Sequence, residues 1–457
     1  MHDVMVAFGT ETGTAEDCAQ DLGEALAAAG ISCRVRDMFD VLPSDLPSDD
    51  VFVVVTSTFG NGDAPSNADE LLSHLTKERP DLSGQRFAVM ALGDSTYPRF
   101  AQCGRDFDQV LEELGGVRIA ERVDADVDVE EPLEAFQGAL LRYLLADAGP
   151  QLQVVPTATP HPPKKPSLVQ RLRGWLGGSG EVGPSGPSRA TPGLATLTDA
   201  RVLSRPGSTK DTRHYVLQLD GPHDLQPGDS VGLLPDLPPD RAREGSEAPA
   251  PRLYSVANDP RGGPVDLCVD TVRYEQDGRI IEGIASCWLA DRVPVGAEVR
   301  WYPAPQPRFH LPERGPLILV GPGTGIAPFR GFLQRLARTS PERQTWLFFG
   351  HRHEAFDNLY GEELAAWTAS GVLNHCTYAW SRDQDHKLYV QHRIAEHGRE
   401  LWSWLEAGAT VMVCGDASGM APGVRDAFRA LADDRRGDGR GWLAEMRRSG
   451  RYREDVY

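Results

Sequence analysis

Uninterrupted apolar runs mark the first third of the chain. Val4-Met-Val-Ala-Phe8, Val51-Phe-Val-Val-Val55 and Phe87-Ala-Val-Met-Ala-Leu92 contain no polar position. A strand that is apolar at every position is covered on both faces, as in a parallel sheet sandwiched between helices. A turn and a helix near Ala15–Ala29 follow the first run, so residues 1–146 are expected to form a doubly wound α/β unit. From about 147 to 194 Pro, Gly and Ser dominate, which predicts a linker. Within it, Ser167-Leu-Val-Gln-Arg-Leu-Arg-Gly-Trp-Leu176 has the spacing of a short basic amphipathic helix. Residues 195–314 are rich in Gly/Pro turns and β-branched runs such as Val265-Asp-Leu-Cys-Val-Asp-Thr-Val272, which suits an antiparallel barrel. The βα alternation returns over 315–457, with Pro316-Leu-Ile-Leu-Val320, Thr345-Trp-Leu-Phe-Phe349 and Thr410-Val-Met-Val-Cys414 as strands.

A chain of 457 residues is long enough for two or three such units. It contains no apolar run near the roughly 18 residues that span a bilayer, and its start lacks a basic region followed by an apolar core, so a cytoplasmic protein is expected. Seven cysteines, odd in number and never spaced C-x-x-C, argue against a disulfide framework, a zinc site or an iron–sulfur cluster. The net charge of −19 is unevenly distributed. Residues 1–146 hold 28 Asp+Glu against 10 Lys+Arg, whereas residues 196–457 hold 36 against 32. So acidic a first unit disfavours nucleic acid as a partner and favours a basic face on another protein.

Three loops at strand ends carry candidate chemistry. The first is Gly9-Thr-Glu-Thr-Gly-Thr-Ala-Glu16, which opens a helix. Backbone N–H groups at a helix start and the hydroxyls of Thr10, Thr12 and Thr14 make an anion site. With no lysine of the triphosphate-loop kind, a monophosphate fits better. The second loop is Ser57-Thr-Phe-Gly-Asn-Gly-Asp63 and the third Leu92-Gly-Asp-Ser-Thr-Tyr-Pro-Arg-Phe100. Ligands of such sheets bind outside the carboxyl ends of strands, where Phe59 and Tyr97 can sandwich a flat ring.

In that order the three loops resemble the flavodoxin-type FMN domain of NADPH-dependent diflavin reductases. The resemblance implies that Thr10, Glu11, Thr12, Gly13, Thr14 and Ala15 hold the phosphate. It assigns Ser57, Thr58, Phe59 and Gly60 to the ring on one side. On the other side it assigns Leu92, Gly93, Asp94, Ser95, Thr96 and Tyr97, with Phe100 and Ala101. Phe59 stands where the family commonly has Tyr, and Asp124 or Asp126 borders the flavin. Arg252-Leu-Tyr-Ser255 resembles the R-x-Y-S motif of the ferredoxin–NADP reductase superfamily, in which Arg meets the FAD pyrophosphate, Tyr stacks on the ring and Ser hydrogen-bonds N5. Leu253 lies inside that motif. Cys268, Val269, Asp270 and Tyr274 match a second FAD segment, and Gly283, Ile284, Ala285 and Ser286 match the turn at the FAD phosphates.

Gly321-Pro-Gly-Thr-Gly-Ile-Ala-Pro328 after a strand resembles the nucleotide loop of that superfamily, with Thr324 among its contacts. Ser381, Arg382 and Lys387 resemble the 2′-phosphate clamp that selects NADPH, and Leu388, Tyr389, Val390 and Gln391 continue it along the adenine. Cys414 matches the cysteine beside the nicotinamide. In the terminal Arg451-Tyr-Arg-Glu-Asp-Val-Tyr457, Asp455 and Tyr457 match the residues that assist hydride transfer and cover the flavin. With Ser255, they are the expected catalytic cluster.

The strings W-L-F-F-G, A-W-S-R-D-Q, V-C-G-D-A and R-Y-R-E-D-V-Y most resemble the flavoprotein alpha subunits of NADPH–sulfite reductases. The fold so implied is a flavodoxin-like domain, an antiparallel β-barrel for FAD and an α/β NADP-binding domain. The implied reaction passes hydride from NADPH to FAD, single electrons to FMN and then to a haem protein. That acceptor is the sulfite reductase haemoprotein subunit or, in the alternative, a cytochrome or haem oxygenase. A non-catalytic flavin-binding partner module is the reading from a different class. Three departures stand out. Only Pro235–Pro251 separates Leu234 from Arg252, too short for the family's helical connecting domain. Asp416–Gly423 lacks a basic residue expected near NADPH. The N-terminal extension that supports oligomerisation in sulfite reductase flavoproteins is not expected here.

Overall fold

The computed structural model describes residues 3–10, 13–46, 50–58, 62–65, 67–95, 97, 99–147, 186–189, 191–236, 251–276 and 279–457. The amphipathic stretch at 167–176 lies outside them, as do Glu11, Thr12, Phe59, Gly60 and Thr96.

The first sheet is parallel and comprises β1 (Val4–Gly9), β2 (Cys33–Asp37), β3 (Val51–Ser57), β4 (Arg86–Leu92), β5 (Val117–Arg118) and β6 (Val123–Ala125). Its order is β2-β1-β3-β4-β5, with β6 also on β4. The central strands are apolar along most of their length because each feeds two cores. Val4, Val6 and Phe8 pack with Ala19, Leu22 and Phe136, while Met5 and Ala7 pack with Leu71, Phe87 and Phe107. The strand order reverses between β1 and β3, which leaves a crevice above their carboxyl ends.

The second sheet is antiparallel, with order β10-β9-β14-β7-β8-β11. Its strands are β7 (Gly193–Val202), β8 (Thr212–Leu219), β9 (Ser230–Leu234), β10 (Arg252–Ser255), β11 (Val265–Asp270) and β14 (Glu298–Ala304). The two outermost strands are drawn together by an antiparallel bridge between Val256 and Leu267, and by Ala257 N donating to Asp266 O at 2.8 Å. The sheet therefore curls toward closure around Leu217, Val231, Leu233, Trp288 and Trp301. A hairpin of β12 (Arg273–Gln276) and β13 (Arg279–Glu282) leads into the helix Ile284–Arg292.

The third sheet is parallel, ordered β17-β16-β15-β18-β19. It contains β15 (Leu317–Val320), β16 (Thr345–His351), β17 (His375–Trp380), β18 (Thr410–Gly415) and β19 (Tyr452–Val456). One face is covered by Trp402, Phe428 and Trp442; the other shares a core with Phe309 and Cys268 of the antiparallel unit. Phe39 of the first unit is buried in the cluster on the former face. Among the described residues no helix is long and apolar enough to cross a membrane.

Candidate functional site

In the first unit hydrogen bonds brace both described ends of the β1 loop. Gly13 takes φ +99°, a left-handed conformation that a side chain would strain. Its N–H donates to Thr10 Oγ1 at 2.9 Å, and Thr10 N–H donates to Asn67 Oδ1 at 2.8 Å. The 15-residue helix from Thr14 to Ala28 starts there, with Ala15 buried and Thr14 exposed. After β3, Thr58 N–H donates to Leu92 O and its hydroxyl accepts from Cys103 N–H at 3.1 Å, so Ser57–Thr58 and the loop after Leu92 lie side by side. Gly93 permits a close approach, because a Cβ there would sit 2.6 Å from Ala101 N. Asp126 accepts from Ser95 N–H at 3.0 Å, whereas Asp124 is paired with Arg105 and Arg122. Of the two aspartates, Asp126 is the one that braces the ring-facing loop. Asp94 is held by Arg189, which ties this loop to the segment preceding β7.

Tyr97 and Phe100 line a cavity of about 430 Å³. Its far wall is formed by Arg252, Leu253, Ser255, Asp455 and Tyr457. The Arg252 guanidinium lies 4.9 Å from the Tyr97 ring centroid, and Tyr97 OH donates to Pro251 O at 3.3 Å. A second cavity, about 380 Å³, is walled by Arg252–Ser255, Cys268–Asp270, Gly283–Ser286, Thr324 and Tyr457. The sequence-identified FAD residues, Tyr274 excepted, are thus brought to one place, together with Thr324 of the nucleotide loop and Tyr457. Tyr274 sits on the adjoining hairpin, 52% exposed, beside exposed Val272, Ile280 and Ile284. A concave apolar surface next to a fixed arginine, with the N-terminus of Ile284–Arg292 at its edge, suits a flat cofactor that carries a pyrophosphate. Asp270 is already engaged by Lys210 and Thr212.

The nucleotide loop joins the third sheet to that cavity. Gly325 packs so closely that a Cβ would fall 2.0 Å from Cys414 O. A third cavity, about 460 Å³, runs from Pro322 and Gly323 to Ser381, Tyr389, Val390 and Gln391. Buried Gln391 Oε1 has no hydrogen-bond partner, as expected of a group that awaits a ligand. Arg382 and Lys387 are exposed beside the mouth and do not line the cavity, and Leu388 is half-buried. Lys210, His351 and Arg352 do line it. The sequence reading missed these three because no motif contains them. Burial and the neighbouring Arg382 push the Arg352 guanidinium below its usual pKa, against the opposing pull of Asp270 and Asp357. Where a basic residue was expected, Asp416 instead accepts from Gly419 N–H at 2.7 Å and Met420 N–H at 3.0 Å and caps the following helix.

Between these cavities stand the four residues that the sequence grouped as a catalytic cluster. β18 and β19 pair in parallel with Cys414 opposite Asp455. Asp455 Oδ2 accepts from Ser255 Oγ at 3.0 Å and from Cys414 Sγ at 3.9 Å. Burial pushes the Asp455 carboxyl up to about 6, against the opposing pull of these two donors. Burial also keeps the Cys414 thiol protonated. Tyr457 is 54% exposed, its hydroxyl 2.6 Å from Thr324 Oγ1, and its N–H donates to Gly415 O at 2.9 Å.

Residues 6–138 match the flavodoxin family and residues 319–426 the oxidoreductase NAD-binding domain. Joined through an R-x-Y-S unit, these define a flavoprotein oxidoreductase that works with a nicotinamide nucleotide. The chain is 32% identical over 560 positions to the sulfite reductase [NADPH] flavoprotein alpha-component of Bacillus subtilis, covering 100% of this chain and 89% of that protein. It is 32% identical over 558 positions to the alpha-component of Neisseria meningitidis, and 30% over 555 to that of Mannheimia succiniciproducens. These alignments cover 99% and 100% of the chain and 89% and 90% of the relatives. The chain belongs to the NADPH–sulfite reductase flavoprotein alpha-component family. The alignment with the first of these relatives runs roughly a hundred positions beyond the length of this chain, in keeping with the short connection between Leu234 and Arg252.

Proposed function

We propose that the chain is an NADPH-dependent diflavin reductase that delivers electrons to the haemoprotein subunit of a sulfite reductase, in the cytoplasm. The observation that carries this reading is the placement of Ser255 and Tyr457 on the wall shared by two cavities, one along the R-x-Y-S groove and one facing Tyr97, with Asp455 holding the Ser255 hydroxyl from the Tyr97 side. When bound, NADPH, FAD and FMN supply the conversion of a two-electron donor into one-electron steps. The protein's own work is positional. Arg252, Tyr254 and Gly283–Ser286 hold FAD; Thr10–Ala15, Ser57–Gly60 and Leu92–Ala101 hold FMN; Ser381, Arg382, Lys387 and Leu388–Gln391 hold the adenine side of NADPH. Asp455 orients the Ser255 hydroxyl and presents negative charge beside it, and Tyr457 shields the groove from water. The working units are 1–146, 195–314 and 315–457, with 147–194 as the linker. The acidic surface of residues 1–146 is the docking face for the acceptor. Purified protein is expected to release equal amounts of FAD and FMN. It is also expected to support NADPH-driven sulfide formation when a sirohaem sulfite reductase subunit is added. FAD without FMN refutes the two-flavin assignment, and NADPH oxidation without sulfide refutes the acceptor.

A further inference from the structure

The connection from β14 to β15 carries Arg308 out of the antiparallel unit and onto the β1 loop of the flavodoxin unit. Its guanidinium pairs with Glu16 and lies 3.8 Å from Asp17 Oδ1, both in the first turn of the helix Thr14–Ala28. A Cβ built on Gly13 would meet Arg308 Nε at 2.8 Å, and its three nearest atoms all belong to Arg308. The arginine therefore rests on the backbone of the β1 loop, the expected anion cradle, with its side chain still 54% exposed. It also borders two cavities: the one between the flavin-facing walls, and another of about 640 Å³ that reaches Thr10 and Asn67.

The loop Gly9–Ala15 has no basic residue of its own, while Glu16 and Asp17 place two carboxylates beside it. A phosphate dianion in that cradle gains N–H and hydroxyl donors but meets like charge one turn away. A guanidinium at the same spot offsets that repulsion and adds charge-assisted hydrogen bonds. The four other arginines facing the larger cavity all have partners of their own: Arg36 pairs with Asp45 and Arg447 with Glu454, and the remaining two are likewise engaged. Arg448 pairs with Asp40 at 3.3 Å, and Arg453 donates to Gly450 O and His310 O.

We propose that Arg308 is a phosphate ligand supplied in trans: it binds the 5′-phosphate of the flavin mononucleotide held by the flavodoxin unit and thereby ties that unit to the FAD-binding unit. This rests on the FMN assignment above and adds a consequence to it. Riboflavin, which has the ring but no phosphate, gains nothing from Arg308. The test uses full-length protein with FAD retained and FMN removed, titrated with FMN and with riboflavin by flavin fluorescence. Arg308→Gln is expected to raise the Kd for FMN about tenfold and to leave that for riboflavin unchanged, the low end for a charge-assisted contact at a half-exposed side chain. Arg308→Lys, which keeps the charge and loses the fork, should fall between. A ratio of FMN to riboflavin Kd that Arg308→Gln leaves unaltered overturns the proposal, as does an Arg308→Lys variant that binds FMN no better than Arg308→Gln. Failure of the unsubstituted protein to bind FMN is a separate result and would overturn the FMN assignment itself.

Discussion

Asp455→Asn should make the protein more stable and slower at the same time. The folded-state pKa of Asp455 is raised by burial from the ordinary 3.8 to about 6. Between these values the folded protein holds a proton that the unfolded chain has released. Stability therefore falls as pH rises through that window and levels off above it. A shift of this size corresponds to about 3 kcal/mol at pH 8 and to almost nothing below pH 4. Asparagine is isosteric and uncharged, and its carbonyl can still accept from Ser255. It should escape the penalty, leaving the variant the more stable by up to about 3 kcal/mol at pH 8. The same carboxylate faces positive charge that develops as a nicotinamide gives up hydride. A full charge pair at contact distance is worth about 4 kcal/mol at an effective dielectric constant of 20. Half-developed charge then gives about 2 kcal/mol, or roughly thirtyfold in rate. Urea midpoints of both proteins from pH 4 to 8 read the first effect, and stopped-flow flavin reduction by NADPH reads the second. In the unsubstituted protein the rate should rise through an apparent pKa near 6, and in the variant it should be flat. A stability difference that does not change with pH, or an unaltered rate, refutes the argument.

Two further substitutions separate the outer contacts from this cluster. Tyr457→Ala removes a ring that nicotinamide must displace. Stacking of about 0.5–1.5 kcal/mol should raise kcat/KM for NADH roughly two- to thirteenfold, with NADPH gaining less because its 2′-phosphate already drives displacement; an unchanged NADPH/NADH ratio counts against stacking. Arg382→Ala should raise the KM for NADPH about tenfold, since the side chain is exposed and its contact screened, and should leave NADH unaffected; equal losses with both nucleotides would point to loop damage.

What was legible in the sequence was what is encoded locally. β1, β3 and β4 could be read because both faces of each strand are buried, and Ser255, Cys414, Asp455 and Tyr457 because each belongs to a short string with its own chemistry. Element ends were shifted for local reasons too. β15 starts at Leu317, one residue after Pro316, because proline has no N–H for the ladder, although Pro316 O accepts from Thr410 N–H. β11 stops at Asp270 because Val272 N–H leaves the ladder for Ser286 Oγ. Long-range placement carried no such signal. The pairing of Cys414 with Asp455 depends on the register of two strands separated by two helices, and the Val256–Leu267 bridge depends on the curl of a whole sheet. Arg352 and Lys210 reach the nucleotide cavity from two different units, in stretches that read as ordinary charged surface. Arg308 is the extreme case. It sits in the short run Gln306-Pro-Arg-Phe309, which has no motif and no periodicity, and it meets Glu16 across 292 residues of chain. Its position follows only once the flavodoxin unit is seated against the other two, with Phe39 buried in the third unit's core and Arg252 over Tyr97. Residues that act between units are therefore where local sequence patterns give least guidance, and in a relay whose sites lie in different units these residues decide how the sites face one another.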